Sequence, residues 1–186
     1  MSVPAPEPAE RADATELEEI LRDIAAKLAS GMKPGWSEVT IEWTALSGAG
    51  HLSSCSVVDD RGRSRGASIP PDVNDLCERL RDGMYREGVG TWFTLTFRLS
   101  RCGGRTAYDY EASYDYEGRP SELFRPESYA RDLRRYPRDD AHLPDWLREQ
   151  LRGLPNVYGG IHLEPGPDPD PGPDPDLDPD PGSGSG

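Results

Sequence analysis

The chain has 186 residues, a formal net charge of −13 and a sequence pI of about 4.6. Its length suffices for one well-buried domain but not for two. The acidic field disfavours nucleic acid and anionic membranes as partners and favours basic ones. No apolar run could span a bilayer, no secretion signal is evident, and the three cysteines lack disulfide or zinc spacing, so we expect a cytoplasmic protein.

A helix is predicted directly after residues 1–14, which we expect to form a flexible N-terminus. Thr15 and Glu18 have the spacing of a capping box, which satisfies backbone N–H groups at the start of a helix. Gly31 is a residue at which such a helix commonly ends. Between them, apolar residues recur at helical spacing: Leu17, Ile20, Leu21, Ile24 and Leu28.

Strands and a second helix follow the Pro34-Gly35 turn. Val39, Ile41 and Trp43 alternate with Glu38, Thr40 and Glu42, which is typical of a strand covered on one face. A second strand is expected over residues 51–58 and a solvated loop over residues 61–66. A helix is then predicted from Pro71 to a stop before Gly88. Its buried stripe comprises Val73, Leu76, Cys77 and Leu80.

A β-hairpin is predicted around Gly103-Gly104, because two glycines can adopt the positive φ angles of a two-residue turn. In that register, paired residue numbers sum to 207. The apolar face then pairs Phe93 with Tyr114, Leu95 with Ala112, Phe97 with Tyr110, and Leu99 with Tyr108. The polar face pairs Trp92 with Asp115, Thr96 with Glu111, and Arg98 with Asp109.

Two short helices are predicted over residues 127–136 and 145–151, where Trp146, Leu147 and Leu151 can pack on the core. The predicted fold is α+β: an antiparallel sheet with the N-terminal and middle helices packed on one face, and these short C-terminal helices. We expect one domain over residues 15–163. Residues 164–186 combine proline with Glu164 and six aspartates, which predicts a disordered acidic tail. Calcium binding there is disfavoured, because the prolines prevent a tight loop.

No catalytic residue, cofactor site or metal site is predicted. His51, His142 and His162 lie outside any nucleophile or metal-ligand motif, and phosphate-cradling glycine motifs are absent. Cys102 could be reactive beside the neighbouring arginines, but a fortuitous loop cysteine is the favoured interpretation. The carboxylates on the polar face of the hairpin could act as acid and base in a small hydrolase. An open sheet surface, however, lacks the cleft that a general acid needs.

These elements together resemble a known protein family. The resemblance rests on Ile24-Ala25-Ala26-Lys27-Leu28, Trp36-Ser37-Glu38-Val39, a helix near residues 72–87, Trp92-Phe93-Thr94-Leu95-Thr96-Phe97 and Tyr108-Asp109-Tyr110-Glu111. Over about residues 17–117 the chain resembles the YezG-like immunity proteins, cytoplasmic antitoxins that neutralise the toxic domains of secreted bacterial polymorphic toxins. The resemblance implies an α+β fold, no cofactor and a toxin as partner, and it supplies no catalytic residues. Residues 119–163 and the acidic tail depart from the family pattern.

A partner-binding surface is predicted on the polar side of the sheet. Its residues are Glu38, Glu42, Trp92, Asp109, Glu111 and Asp115. The carboxylates would steer the encounter with a basic toxin, for example a nuclease that grips phosphates, and the tryptophan would anchor the contact. Alternatives are a non-catalytic adaptor or regulatory protein-binding module of the same fold, and a solvated sheet face whose acids only maintain solubility.

Overall fold

The computed structural model describes residues 11–102, 107–121, 124–152 and 154. Along the chain they form α1 (Ala14–Gly31), β1 (Trp36–Leu46), β2 (Gly50–Asp59), β3 (Ser64–Gly66), α2 (Pro71–Gly83), β4 (Thr94–Arg101), β5 (Tyr108–Asp115), α3 (Pro126–Arg135) and α4 (Asp145–Leu151). The strands form one antiparallel sheet in the order β3-β2-β1-β4-β5. The predicted α+β fold is therefore confirmed. The predicted tail at residues 164–186 lies outside the described residues.

Helix α1 begins slightly earlier than predicted. Its N-cap is Asp13, whose carboxylate accepts hydrogen bonds from the backbone N–H groups of Thr15 and Glu16, while the Glu16 side chain accepts from the Asp13 N–H at 3.1 Å. The predicted Thr15–Glu18 capping box is therefore wrong. The Ala12 N–H also donates to the Gly83 carbonyl at 3.1 Å, so the fold begins within the segment expected to be flexible. Residues 1–10 lie outside the described part.

The main hydrophobic core lies between one face of the sheet and the two helices α1 and α2. The predicted inward residues of β1 are buried, and the predicted stripe of α2 is buried as well. Fully buried members of this core include Ile24, Leu28, Val39, Ile41, Trp43, Val73, Leu80, Leu95 and Phe97. Each such side chain stabilises the fold by about 1.5–3 kcal/mol when it leaves water. This core fixes which sheet face remains open.

The register of the β4–β5 hairpin differs by two residues from the predicted one. Phe97 lies opposite Ala112 and Leu99 opposite Tyr110, so paired numbers sum to 209. The physical reason is a longer connection: the Cys102 N–H donates to the Ala107 carbonyl, and residues 103–106 between them, including the predicted turn glycines, lie outside the described part. A shift of two keeps the side chains of Thr94–Arg101 and of β5 on their predicted faces.

Trp92 does not face outwards, contrary to the prediction. The Phe93 N–H donates to the Asp115 carbonyl at 2.8 Å, while Thr94 is itself the Cα partner of Asp115. Phe93 and Thr94 therefore both lie opposite Asp115, as in a β-bulge. From this point towards the N-terminus, each side chain points to the face opposite to the one that regular alternation would give. As a result, Trp92 is completely buried in the main core, with its ring 5.7 Å from that of Trp43.

A second hydrophobic cluster forms where α3 and α4 pack at the end of the sheet. Its buried members are Leu46, Phe93, Tyr129, Ala130, Leu133, Leu143, Leu147 and Leu151. Trp146 packs at its edge, with its ring 5.2 Å from that of Phe93. The two predicted C-terminal helices are confirmed, with bounds that differ from the predicted ones by at most one residue.

Two smaller expectations are wrong. Ser64–Gly66, inside the predicted loop 61–66, pairs with β2 as strand β3. Helix α2 ends at Gly83 rather than near Gly88. A Cβ atom at Gly83 would lie 2.6 Å from the Cβ of Ala12, so this glycine allows the segment before α1 to approach closely. The helix therefore ends at Gly83, five residues before the predicted stop at Gly88.

Candidate functional site on the open face of the sheet

The sheet surface that points away from α1 and α2 carries mostly polar side chains. The strand register arranges these side chains in rows across the strands. We call this surface the open face. Successive residues of a strand point to opposite sides of the sheet. The residues of the open face are therefore those that alternate with the buried core residues of each strand. They are Leu52, Ser54, Ser56 and Val58 on β2; Glu38, Thr40, Glu42 and Thr44 on β1; Thr94, Thr96, Arg98 and Ser100 on β4; and Asp109, Glu111, Ser113 and Asp115 on β5.

The five predicted carboxylates all lie on the open face, in two lines. Glu38 and Glu42 form one line on β1, and Asp109, Glu111 and Asp115 form the other on β5. Because β4 lies between these strands, the two lines are about 10 Å apart. Glu38 is half-buried and the other four are exposed. The structure therefore brings together every predicted site residue except Trp92.

Arg98 on β4 is the basic residue between the two lines of carboxylates. It lies opposite Thr40 on β1 and opposite Glu111 on β5, rather than opposite Asp109 as predicted. Its Nε atom is 4.0 Å from a carboxylate oxygen of Glu38, and both side chains are partly exposed. Such a pair contributes less than about 1 kcal/mol. The open face thus retains an excess of negative charge.

Two of the five carboxylates have local structural roles. Asp115 accepts hydrogen bonds from the backbone N–H groups of Glu117 at 3.0 Å and Gly118 at 2.7 Å, which closes the turn after β5. Glu42 accepts a hydrogen bond from the Ser121 hydroxyl at 3.2 Å. Both therefore hold the segment that leaves the sheet. Glu111, in contrast, has no side-chain hydrogen bond or ion pair with the described residues, so it is available to a partner.

The cysteines in the described residues are not activated nucleophiles. Burial raises the pKa of the Cys77 thiol to about 12 and also raises the pKa of Cys55. A hydrogen bond with Asp109, helped by burial and by the carboxylate charge, raises the pKa of Cys102. A reactive cysteine needs a lowered pKa, because the thiolate is the nucleophile. The environment of Cys102 therefore disfavours its thiolate form.

The two histidines in the described residues lie in different elements. The His51 ring stacks on Trp43 with centroids 5.6 Å apart, and His142 is exposed in a short 3-10 turn at Asp140–His142. His162 lies outside the described residues. Within the described ranges, no group of three His, Cys, Asp or Glu side chains could hold a metal ion. A search of the same residues finds no helix long and apolar enough to cross a membrane.

A cleft of about 350 Å³ lies beside the β1–β2 turn, between α2 and α3. Asp82 in this cleft is already bonded: Arg135 donates to its carboxylate at 3.0 Å, and the Tyr136 hydroxyl donates to the same carboxylate. Arg81 at its base is paired with Asp132. These contacts join α2 to α3, so the cleft belongs to the structural framework. The sequence analysis did not identify this polar network.

The chain matches no known family model, and a comparison with curated proteins finds no match.

Proposed function

We propose that the chain is an immunity protein that binds a cognate toxin domain through the open face and neutralises it by covering its substrate-binding surface. The observation that carries this proposal is the charge of the open face, which has five carboxylates against one guanidinium on an accessible sheet surface. The resemblance of about residues 17–117 to the YezG-like immunity proteins supports the same conclusion.

The acidic side chains suit a basic partner. A toxin that acts on nucleic acid must present basic side chains, because it binds phosphates. Complementary charge accelerates association by about 10- to 1,000-fold and disfavours partners of the wrong sign. A nuclease domain would therefore be both attracted and blocked, since the same basic surface cannot contact the carboxylates and its substrate at once.

The open face also provides close and apolar contact. Most of its remaining residues are serines and threonines, whose short side chains let a partner approach the backbone and form hydrogen bonds. Leu52, which is 40% exposed, is the exposed large hydrophobic residue among the described ones, and it lies on this face. It can supply the apolar contact that Trp92, being buried, cannot supply.

The open face is held in a fixed geometry before binding. Its strands are anchored from the opposite side by Ile41, Trp43 and Phe97, all completely buried. The end of the sheet is fixed by α3 and α4 through the second hydrophobic cluster. A preorganised surface loses little conformational entropy on association, which increases affinity.

We expect the neighbouring gene to encode a secreted protein with a toxic C-terminal domain, and coexpression with that domain would test this function. We expect growth to be rescued, and the purified toxin to lose its activity when one equivalent of the chain is added. The cause would be a stable one-to-one complex, measurable by isothermal titration calorimetry. Protection by strongly substoichiometric amounts would instead indicate a catalytic activity, and absence of a complex would contradict the proposal.

A further inference from the structure

The two edges of the sheet differ in construction. On one side, β3 has only three residues and leaves residues 50–54 of β2 without a strand partner among the described residues; on the other, β5 has eight residues. Very short edge strands offer little backbone for pairing with another chain, whereas long ones are templates for an additional strand. The β5 edge, formed by Tyr108–Asp115, is therefore long enough to pair with a further strand unless its sequence blocks pairing.

The backbone groups at the β5 edge can be assigned from the hairpin hydrogen bonds. In an antiparallel pair, residues that bond to the neighbouring strand alternate with residues whose N–H and C=O point away. The carbonyls of Ala107 and Asp115 both accept hydrogen bonds from the β4 side, so the odd-numbered residues face β4. The even-numbered residues direct their backbone groups to the free edge, where no described residue pairs with them: Tyr108, Tyr110, Ala112 and Tyr114.

The charged side chains of β5 are all acidic, so they oppose pairing with an acidic strand but not with a basic one. The sequence of β5, Tyr-Asp-Tyr-Glu-Ala-Ser-Tyr-Asp, contains no proline, lysine or glycine. The strand is also firmly anchored from its inner side. The Tyr110 ring stacks on Phe97 with centroids 5.4 Å apart, and its hydroxyl donates to Glu18 on α1 at 2.8 Å. The Tyr114 ring lies 5.8 Å from that of Trp92. An incoming strand would thus meet a rigid template.

We propose that the β5 edge receives an extended segment of the partner as a sixth strand of the sheet. The side chains of β5 define the chemistry of that segment. Basic residues at alternate positions would lie beside Asp109, Glu111 and Asp115, and apolar residues between them would continue the tyrosine-lined inner face. The proposal rests on the proposed function in one respect, because it assigns this segment to the toxin.

Charge disfavours a second copy of this chain as the occupant. If two β5 strands paired around a two-fold axis, their odd-numbered residues would share one face of the combined sheet. Asp109, Glu111 and Asp115 of one copy would then lie beside the same carboxylates of the other. Like charges at neighbouring cross-strand positions are destabilising. A basic strand removes this repulsion, and it also satisfies the backbone groups of the edge.

A peptide probe tests the edge independently of the toxin. We would use a peptide of about ten residues that alternates lysine with valine, because it can pair along the eight residues of β5. The control peptide has the same composition in an order without alternation. Amide hydrogen exchange measured by NMR should slow about tenfold or more at Tyr110, Ala112 and Tyr114 when the alternating peptide binds. The amides of Glu111 and Ser113, already bonded to β4, should change little.

Two variants of one residue separate edge pairing from simple charge attraction. Ala112→Pro removes a backbone N–H at the free edge, a position where proline is tolerated because the β4 ladder does not use that group. Ala112→Val changes the side chain but keeps the N–H. We expect the proline variant to remain folded by circular dichroism and to bind the alternating peptide about tenfold more weakly, while the valine variant binds like the parent chain.

Three results would overturn edge pairing: peptide binding without the alternating protection, equal affinity for the two peptides, or full binding by a folded Ala112→Pro variant. None of these would depend on whether the toxin is neutralised. Conversely, peptide pairing with the expected protection would support the edge as a strand-binding site even if the chain failed to rescue growth. The two proposals can therefore fail separately.

Discussion

The Arg81 guanidinium donates two hydrogen bonds to the Asp132 carboxylate, at 2.9 and 2.8 Å, although both side chains are almost completely buried. The pair joins α2 to α3. Its remaining groups are also satisfied, since Arg81 Nε donates to the Trp92 carbonyl at 2.9 Å and Asp132 accepts from the Ser47 N–H at 2.7 Å. One ion pair therefore connects the helical layer, the start of β4 and the β1–β2 turn.

Replacing Asp132 with alanine should destabilise the protein by about 3–5 kcal/mol, because it leaves a buried guanidinium without its counter-charge. Asp140→Ala is a suitable control, since Asp140 pairs with Arg148 but its side chain is 78% exposed. We expect the control to cost less than about 1 kcal/mol. Urea unfolding measures both values. Similar costs for the two variants would show that the buried pair does not stabilise the packing of α3.

Trp92→Ala should destabilise the protein by about 3–5 kcal/mol, because the indole is completely buried. For a domain of this size, the thermal midpoint should fall by about 10 °C or more. Leu52→Ala on the open face should lower it only slightly, since the leucine is 40% exposed. A midpoint unchanged by Trp92→Ala would mean that the bulge at Phe93 is absent and that the tryptophan faces solvent.

The stability of the protein should fall as the pH rises from about 9 towards 12, in part because of Cys77. Burial raises the pKa of its thiol from 9.0 to about 12. Between these values the unfolded chain binds fewer protons than the folded one, so the free energy of unfolding decreases with pH. Burial likewise raises the pKa of Tyr114 from 10.0 to about 12, which acts in the same direction above pH 10.

Cys77→Val isolates the contribution of the thiol, because valine remains apolar and does not titrate. Urea unfolding of both proteins at a pH of about 8 and about 10.5 should give a smaller loss of stability for the variant. Tyr114 and the other titrating groups are common to both proteins and cancel in the comparison. Equal losses would indicate that the thiol is not protected from ionisation in the folded state.

The alternation of side chains could be predicted from the sequence, whereas the register of the hairpin could not. Alternation is a local property, so Val39, Ile41 and Phe97 were assigned to the correct face. Register depends on the length of the connection between the strands, and the observed pairs sum to 209 rather than to the predicted 207. The acidic residues were nevertheless predicted on the correct face, because a register shift of two residues leaves each side chain on the same face of the sheet.

The burial of Trp92, Arg81 and Asp132 depends on contacts between residues that are distant in sequence. Phe93 enters the second hydrophobic cluster, which forces the bulge that turns Trp92 inwards, and nothing in the strand pattern indicates that cluster. Arg81 follows Cys77 by four residues, and this spacing places it on the buried stripe of α2. An arginine at such a position is normally expected to reach solvent, and its buried partner Asp132 lies 51 residues away.

The central claim is that the open face binds a basic toxin domain. The most direct test measures the affinity for the toxin after charge reversal on this face. The informative variant is Asp109→Lys with Glu111→Lys, because it spares Asp115, which closes the turn after β5. The matched control is Glu19→Lys with Asp23→Lys, which makes the same charge change on the exposed side of α1, across the sheet. Both variants should unfold at nearly the parent temperature, since all four side chains are exposed.

Calorimetric titration of both variants with the proposed cognate toxin domain, at low and at moderate salt, provides the comparison. The account predicts that the open-face variant binds about tenfold or more weakly, with a reduced dependence on salt, while the control variant stays within about threefold of the parent. Equal affinity of the two variants at both salt concentrations would contradict it.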